Sequence, residues 1–413
     1  MATVFEACIV DTKFLDLVDK VAEKFLKRED GDRVNVVHHN DADGICSASI
    51  LKALLESLGC EYELICIEKV YPAIVEKIHE SRDGIFIYTD LGGLAADMIE
   101  KYTKTVSFII DHHPAKPIES EKVYILDPEL AGISGDVFVS ASTLNYIFAK
   151  RINPDISKYA YIAVLGAVGD YHDRYGGVLG FDRCVLDEAI EFGQVKVKFE
   201  GAKERYYIEA FDDFADNIAP KLTTLGACGY LERGYEDAVH VCFNGFNERI
   251  LKRVKRLEEL REKKFKEAID YLKNGGLQKT KHIQWFDLKD MFNPMGVKAV
   301  GEFCELIKDM TFMDMDKYII GFQWIPPLVP DVGEIDWKGT KISGRVPTQL
   351  GRTILHGKAL GLDYLIPKAS EMVGGFADAT HRLAAAAVVD VGKERDFVEA
   401  MERLIEDETA KNS

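Results

Sequence analysis

Three short segments carry residues that could do chemistry together: HHNDADG at 38–44, YTDLGG at 88–93 and DHHP at 111–114. Each ends a run rich in β-branched and aromatic residues, and a fourth carboxylate, Asp170, closes the apolar run YIAVLGAVGD. Imidazoles and carboxylates together suit borderline divalent ions such as Mn²⁺, and the absence of cysteine from these segments argues against a structural zinc site. Taken singly, each segment has an ordinary explanation, because Asp and Asn are common turn residues and an isolated DG or DLGG is usually a turn. Taken jointly they do not. A site holding Asp41, Asp43, Asp90, Asp111 and Asp170 without cations would repel itself, so convergence of these residues predicts metal binding.

The elements that would bring them together are legible from Val34 onward. The run VNVVHH is followed by a helix from about Ser47 to Leu58, then YELICIE, a helix to His79, GIFIYTD, a helix through Asp97 to Tyr102, TVSFIID and KVYILD. Strand and helix alternating at this spacing predict right-handed βαβ units and an α/β fold with a parallel sheet covered on both faces. In such a sheet ligands bind outside the carboxyl ends of the strands, which is where the acid and histidine clusters fall. Further on, Ile250, Val254, Leu257, Phe265, Ile269 and Leu272 recur near a 3.6-residue period, predicting one long helix from Glu248 to Lys273 that Gly275 and Gly276 end. Beyond it KYIIGFQW and TKISGRV predict strands of a second, smaller α/β domain.

Length and composition bound the rest. At about 150 residues per domain, 413 residues predict two or three domains. Hydrophobic residues at 47% and charged residues at 29% exclude wholesale disorder. No stretch approaches 18 uncharged apolar residues and the first residues lack a secretory pattern, so a soluble, unexported, cytoplasmic protein with no membrane partner is expected. The eight cysteines are scattered and read as buried apolar residues in a reducing compartment. With 52 basic against 69 acidic residues, the formal charge of −17 opposes extended nonspecific binding to nucleic acid. It leaves room for a local basic groove and for carboxylates neutralised by bound cations. The helix at 248–273 runs against the trend, with RILKRVKR from Arg249 to Arg256 holding five basic residues and no acid. That stretch is either a solvated helix face or the lining of a channel for phosphates.

In this order, HNDADG, TDLG, DHH and Asp170 resemble the four motifs of the DHH phosphoesterase superfamily, and most of all the RecJ-like exonucleases of archaea, including the GINS-associated nuclease type. ISGR from Ile342 to Arg345, and the segment from Gly374 and Gly375 to His381 with the following alanine run, resemble the family's DHH-associated domain. The resemblance implies a DHH catalytic domain over 1–235, a connecting helix over 236–275, and a DHH-associated substrate-binding domain over 276–413. It also implies two divalent cations, Mn²⁺ preferred and Mg²⁺ accepted. One would be held by His39, Asp41 and Asp90, the other by Asp43, Asp90, His112 and Asp170, with Asp90 as the bridge. Two cations about 3.5 to 4 Å apart can share a water and lower its pKa for in-line attack on phosphorus. His113 would face the substrate as a catalytic group, and Asp111 would orient the histidine pair. Arg345, Gly374, Gly375 and His381 would grip a substrate phosphate. Two details depart from the family pattern: Phe376 to Thr380 separate the glycines from His381, and AAAA stands where AAG is usual. His38 and His172 have no role in this reading.

The function so implied is a metal-dependent exonuclease releasing mononucleotides from single-stranded DNA or RNA, with replication proteins such as GINS as further partners. A small-substrate phosphoesterase, such as an oligoribonuclease, a 3′-phosphoadenosine 5′-phosphate phosphatase or a cyclic dinucleotide hydrolase, is the alternative within the superfamily. A replication scaffold with little catalysis is the alternative outside enzymology. Polarity and the choice between DNA and RNA are left open.

Overall fold

Five of the runs rich in β-branched and aromatic residues form one parallel sheet in the computed structural model, which describes residues 12–28 and 31–411. Cys8 and the N-terminal residues read for a secretory pattern lie outside the described residues. The strands are β1 (Val34–His38), β2 (Tyr62–Cys66), β3 (Ile85–Thr89), β4 (Ser107–Ile110) and β5 (Val123–Leu126), in the order β2-β1-β3-β4-β5. Every residue of β1, β3 and β4 is buried, as a parallel sheet covered on both faces requires. The register aligns the carboxyl ends: His38 lies opposite Cys66 and Thr89, Thr89 opposite Ile110, and Ile110 opposite Leu126. The residues after β1, β3 and β4 therefore emerge side by side. Chain order reverses between β1 and β3, which makes their ends the switch point where such sheets bind ligands.

The helix expected to start near Ser47 starts at Ala42, inside the acidic motif, with Asp41 as its N-cap accepting from the Gly44 amide at 3.1 Å. Gly44 is required there, since a Cβ would lie 2.6 Å from both the Cβ and the carbonyl oxygen of His39. The run before Asp170 is a helix, Ala160–Gly169, buried from Ala160 to Val168, with Asp170 as its C-cap. Gly166 lets it press against the helix Ala141–Ile152, because a Cβ would come within 2.1 Å of Ser142 Oγ and 2.4 Å of Asp43 Oδ1.

The chain divides into two units, the first running to Lys255 and including Val329–Gly333, the second formed by the remainder. The division falls inside the long helix, at 255/256, rather than at the expected 235/236 and 275/276. The segment expected to be one connecting helix is two, Gly234–Asn244 and Glu248–Tyr271, parted at Gly245 with φ of 70°. Gly275, at φ 103°, ends the second as expected. Its basic stretch is partly neutralised from within: Arg249 Nη2 and Arg253 Nη1 hold the two oxygens of Asp237 at 2.6 and 2.7 Å, and Lys252 pairs with Glu248 at 2.7 Å. Arg253 thus serves the helix packing, which favours the solvated-face reading over phosphate tracking.

The second unit carries a mixed sheet in the order Phe376–Thr380, Ala384–Asp390, Gly339–Arg345, Tyr318–Trp324, Ile283–Asp287 and Gln278–Lys279. Its core includes Ile320, Phe322, Ile342, Leu365, Ala387 and Phe397. Cysteines 46, 66, 184, 228, 242 and 304 are buried as expected, whereas Cys60 is only half-buried, with Arg28 Nη2 at 3.0 Å from its sulfur. Among the described residues no helix is long and apolar enough to cross a membrane.

Candidate metal centre

The ends of β1, β3 and β4 and the helix end at Asp170 deliver three overlapping groups of ligand atoms: His39, Asp41 and Asp90; Asp90, His112 and His113; and His112, Asp170 and His172. Asp90 links the first two, with Oδ2 at 3.3 Å from His39 Nδ1 and Oδ1 at 3.4 Å from His112 Nε2. His39 Nδ1 also lies 3.0 Å from Asp41 Oδ2, and His112 Nε2 lies 3.6 Å from Asp170 Oδ2. Four buried atoms, His39 Nδ1, Asp90 Oδ2, His112 Nε2 and His172 Nε2, have no hydrogen-bond partner. Unpaired buried polar atoms are costly, and four facing the same carboxylates fit a site for positive ions. Asp90 itself sits at φ 60°, a left-handed conformation that an L residue keeps at a cost of order 1–3 kcal/mol and that clusters at functional sites.

The surrounding contacts fix how the ligands point. His112 Nδ1 donates to the Gly135 carbonyl at 2.9 Å, which leaves Nε2 as its lone-pair nitrogen. Asp111 accepts at Oδ1 from the amides of His112 and His113 and from His113 Nδ1, at 2.9, 3.3 and 2.8 Å, and at Oδ2 from the Gly93 amide at 2.9 Å. Both histidines and these amides hold its carboxyl well below the usual range despite full burial. His113, with its side chain 40% exposed, is the open member of the cluster.

Asp43, expected as a direct ligand, also meets backbone amides. Its two oxygens accept the amides of Ala141 and Ser142, at 2.8 and 2.9 Å, in the first turn of the helix Ala141–Ile152. It joins none of the three groups. It still senses the site, since burial and then Asp90 push its carboxyl up to about 8. His38, without a role in the sequence, is a core residue with Nδ1 2.8 Å from the His39 carbonyl. His172, which has no role in the motif resemblance, is also brought to the cluster. Its signal was an imidazole two positions after Asp170, and its Nε2 lies 3.2 Å from Asp170 Oδ2.

The model for the DHH family, N-terminal domain, matches residues 33–167. Over those residues the chain is similar to a DHH domain. An uncharacterized protein of Methanocaldococcus jannaschii is 27% identical over 203 residues, a match covering 48% of this chain and 46% of that protein. The chain thus aligns with about half the length of that relative. The fold is RecJ-like. The RecJ structure in complex with Mn²⁺ from Thermus thermophilus superposes with a TM-score of 0.61 at 14% identity, covering 96% of this chain and 55% of that one. A structure of exonuclease RecJ bound to manganese gives 0.58 at 15% identity, covering 96% and 95%. CDC45 from Entamoeba histolytica gives 0.55 at 9% identity, covering 95% and 98%.

The titrating groups of the first unit make a prediction about the metal-free protein. Asp43 and Asp127 are pushed up to about 8, chiefly by burial, and His172 is raised to about 10 by Asp170 and Asp182 against the effect of burial. Stability from a raised carboxyl is complete below its unfolded value near 4 and lost as pH rises through 8; from the raised histidine it is complete below about 6.5 and lost through 10. Among the opposite shifts, His38 and His79 lowered to about 4 and Asp111 lowered act below pH 6.5, while the Cys242 thiol, lowered by Cys46, acts below pH 9 and offsets part of the fall. The melting temperature of the chelated protein is therefore expected to fall steadily from pH 7 to 9, and saturating Mn²⁺ to flatten the fall. A chelated protein that gains stability over that range would contradict the assignment.

The residues expected to grip substrate lie in the second unit. Arg345 donates from Nη1 to the Gly344 carbonyl at 2.8 Å, and its Nε lies 3.3 Å from Glu305 Oε2. Gly375 packs so closely that a Cβ would be 2.3 Å from the Val388 carbonyl, whereas Gly374, at φ 82°, faces open space. His381 is exposed in the turn between Phe376–Thr380 and Ala384–Asp390, its amide donating to the Ala384 carbonyl at 2.8 Å. The five intervening residues form a strand, which spans roughly 17 Å. The glycine pair and His381 are thus at opposite ends of a strand and do not converge.

Proposed function

We propose that this chain is a divalent-cation-dependent phosphodiesterase that removes mononucleotides from an end of single-stranded DNA or RNA. The observation that carries the reading is the set of four buried, unpartnered ligand atoms, three at the carboxyl ends of β1, β3 and β4 and one beyond the helix that ends at Asp170. His39, Asp41 and Asp90 would hold one cation, and Asp90, His112 and Asp170 the other, with Asp43 completing the charge from the helix N-terminus. When bound, such a pair lowers the pKa of a shared water and neutralises charge growing on the phosphoryl oxygens. Mn²⁺ is the preferred ion on account of the imidazoles, and RecJ structures carrying Mn²⁺ or Mg²⁺ support a divalent cation here. The chain's own part is to orient. Asp111 holds His113 by its Nδ1–H and turns Nε2 outward, where a protonated Nε2 can donate to a phosphoryl oxygen.

The test is incubation of single-stranded DNA and RNA, labelled in turn at either end, with Mn²⁺ or with excess chelator. Mononucleotide release that chelator abolishes is expected. Absence of hydrolysis of either polymer would overturn the reading, and equal kcat/KM on two- and twenty-residue strands would replace it with a small-substrate phosphoesterase. If Arg345 binds a phosphate, Arg345→Ala should raise KM by roughly 10- to 150-fold, the equivalent of about 1.5 to 3 kcal/mol, at nearly constant kcat. A fall in kcat alone would place it at the transition state instead.

A further inference from the structure

We propose that His172 is an additional metal ligand of this chain, presenting Nε2 to the cation on the Asp170 side, and that Asp182 is the residue that positions it. The inference rests on the cation site proposed above and adds a ligand that the motif resemblance does not supply.

The backbone first brings the residue to the site. The helix Ala160–Gly169 ends with the His172 amide donating to the Ala167 carbonyl at 3.0 Å and the Tyr171 amide to the Val168 carbonyl at 3.1 Å. This is the Schellman pattern, in which the residue at the left-handed position is normally glycine. Here it is Tyr171, at φ 60° and 73% exposed, while His172 beside it is buried. The reversal turns Asp170 and His172 to the same side.

The side chains then fix the imidazole. His172 Nδ1 lies 2.6 Å from Asp182 Oδ2, and the other oxygen of Asp182 accepts both the amide and the hydroxyl of Ser140 at 3.0 Å. Asp182 is buried and has three donors around it, so Nδ1 keeps its proton and Nε2 is the nitrogen that can give a lone pair to an ion in place of its own proton. That Nε2 is buried, unpartnered and 3.2 Å from Asp170 Oδ2. It falls with His112 Nε2 and an Asp170 oxygen inside one sphere of ligand atoms no more than 4.8 Å apart. The His112 and His172 rings have centroids 5.7 Å apart and are tilted at 48°, so they are not stacked and both bring Nε2 to Asp170. Each ring is anchored through Nδ1, His112 by a carbonyl and His172 by a carboxylate, which is the arrangement that metal-ligating histidines use. Two imidazoles on one ion shift its preference from Mg²⁺ toward Mn²⁺.

The competing arrangement is an imidazolium clamped between Asp170 and Asp182 with no bond to metal. The full chain, stripped and reloaded with Mn²⁺, distinguishes them by pulsed EPR, which reads nitrogen coupling to the ion, and by Mn²⁺ titration. His172→Gln is expected to lose one imidazole coupling and to weaken the second Mn²⁺ by 10- to 100-fold or more; unchanged coupling and affinity would establish the clamp and overturn the proposal. Asp182→Asn retains the nitrogen and guards against a His172→Gln chain that does not fold: it should keep the coupling while weakening Mn²⁺ by about 10- to 100-fold, and unchanged affinity would again count against the proposal. Mn²⁺ bound through His172 in a chain that hydrolyses no nucleic acid would end the proposed function and leave this inference standing. Hydrolysis by a chain whose coupling ignores His172→Gln would do the reverse.

Discussion

Asp90→Asn is expected to lose hydrolysis below detection and to bind neither cation with parental affinity, while its chelated form melts higher than the parent. The carboxylate sends one oxygen to His39 and the other to His112, so its loss strips a ligand from both halves of the site. Loss of a mere supporting partner typically costs 10- to 100-fold in metal affinity, and a shared ligand costs more. Asn is the informative replacement because it tolerates the φ of 60° that Ala would strain. The gain in stability follows from the same charges. Without cations, Asp90 and Asp170 lie close enough to Asp43 to repel its charge, which after burial is why the Asp43 carboxyl is pushed up to about 8. Calorimetric titration with Mn²⁺ and melting in chelator measure both effects. Two Mn²⁺ bound by Asp90→Asn as tightly as by the parent would remove Asp90 from the bridging position.

How far the sequence could be read depended on whether a residue's role was set locally. The strands β1 to β5 announce themselves as apolar runs, and a parallel sheet lines up whatever follows their carboxyl ends, so His39, Asp90 and His112 group together on sequence pattern alone. The run Ala160–Val168 could not be assigned by pattern, since a helix buried on all sides has no polar face to set a period. Asp43 reads only as a ligand because nothing nearby reveals that the helix starting almost a hundred residues later offers it two amides. Asp237 likewise gives no sign in the sequence that it will hold Arg249 and Arg253, and without that contact RILKRVKR reads as a free basic strip. His172 lacked a role for the same reason, its anchor being Asp182 on a separate helix, Gly180–Glu191.

Asp111 offers the sharpest test of the difference between holding a residue and acting on substrate. Its carboxylate accepts three backbone amides as well as His113 Nδ1, so Asp111→Asn should both loosen the loop and release the imidazole. An amide in its place can present N–H where an acceptor is required, which costs about 1–3 kcal/mol of stability for the buried group left unpaired. It also removes the preference for the proton on Nδ1, the kind of tautomer error that in catalytic triads costs about 10⁴-fold in turnover. A fall in kcat of roughly 10²- to 10⁴-fold is expected for Asp111→Asn, and a similar fall for His113→Gln, which keeps the backbone contacts of the loop. The two should not add. With His113 already removed, Asp111→Asn should lower kcat little further while still lowering the melting temperature by its full amount, because the amides remain and the imidazole does not. Additive losses in kcat for the double variant would mean that Asp111 meets the substrate or a cation directly, and the orienting role assigned to it would be wrong.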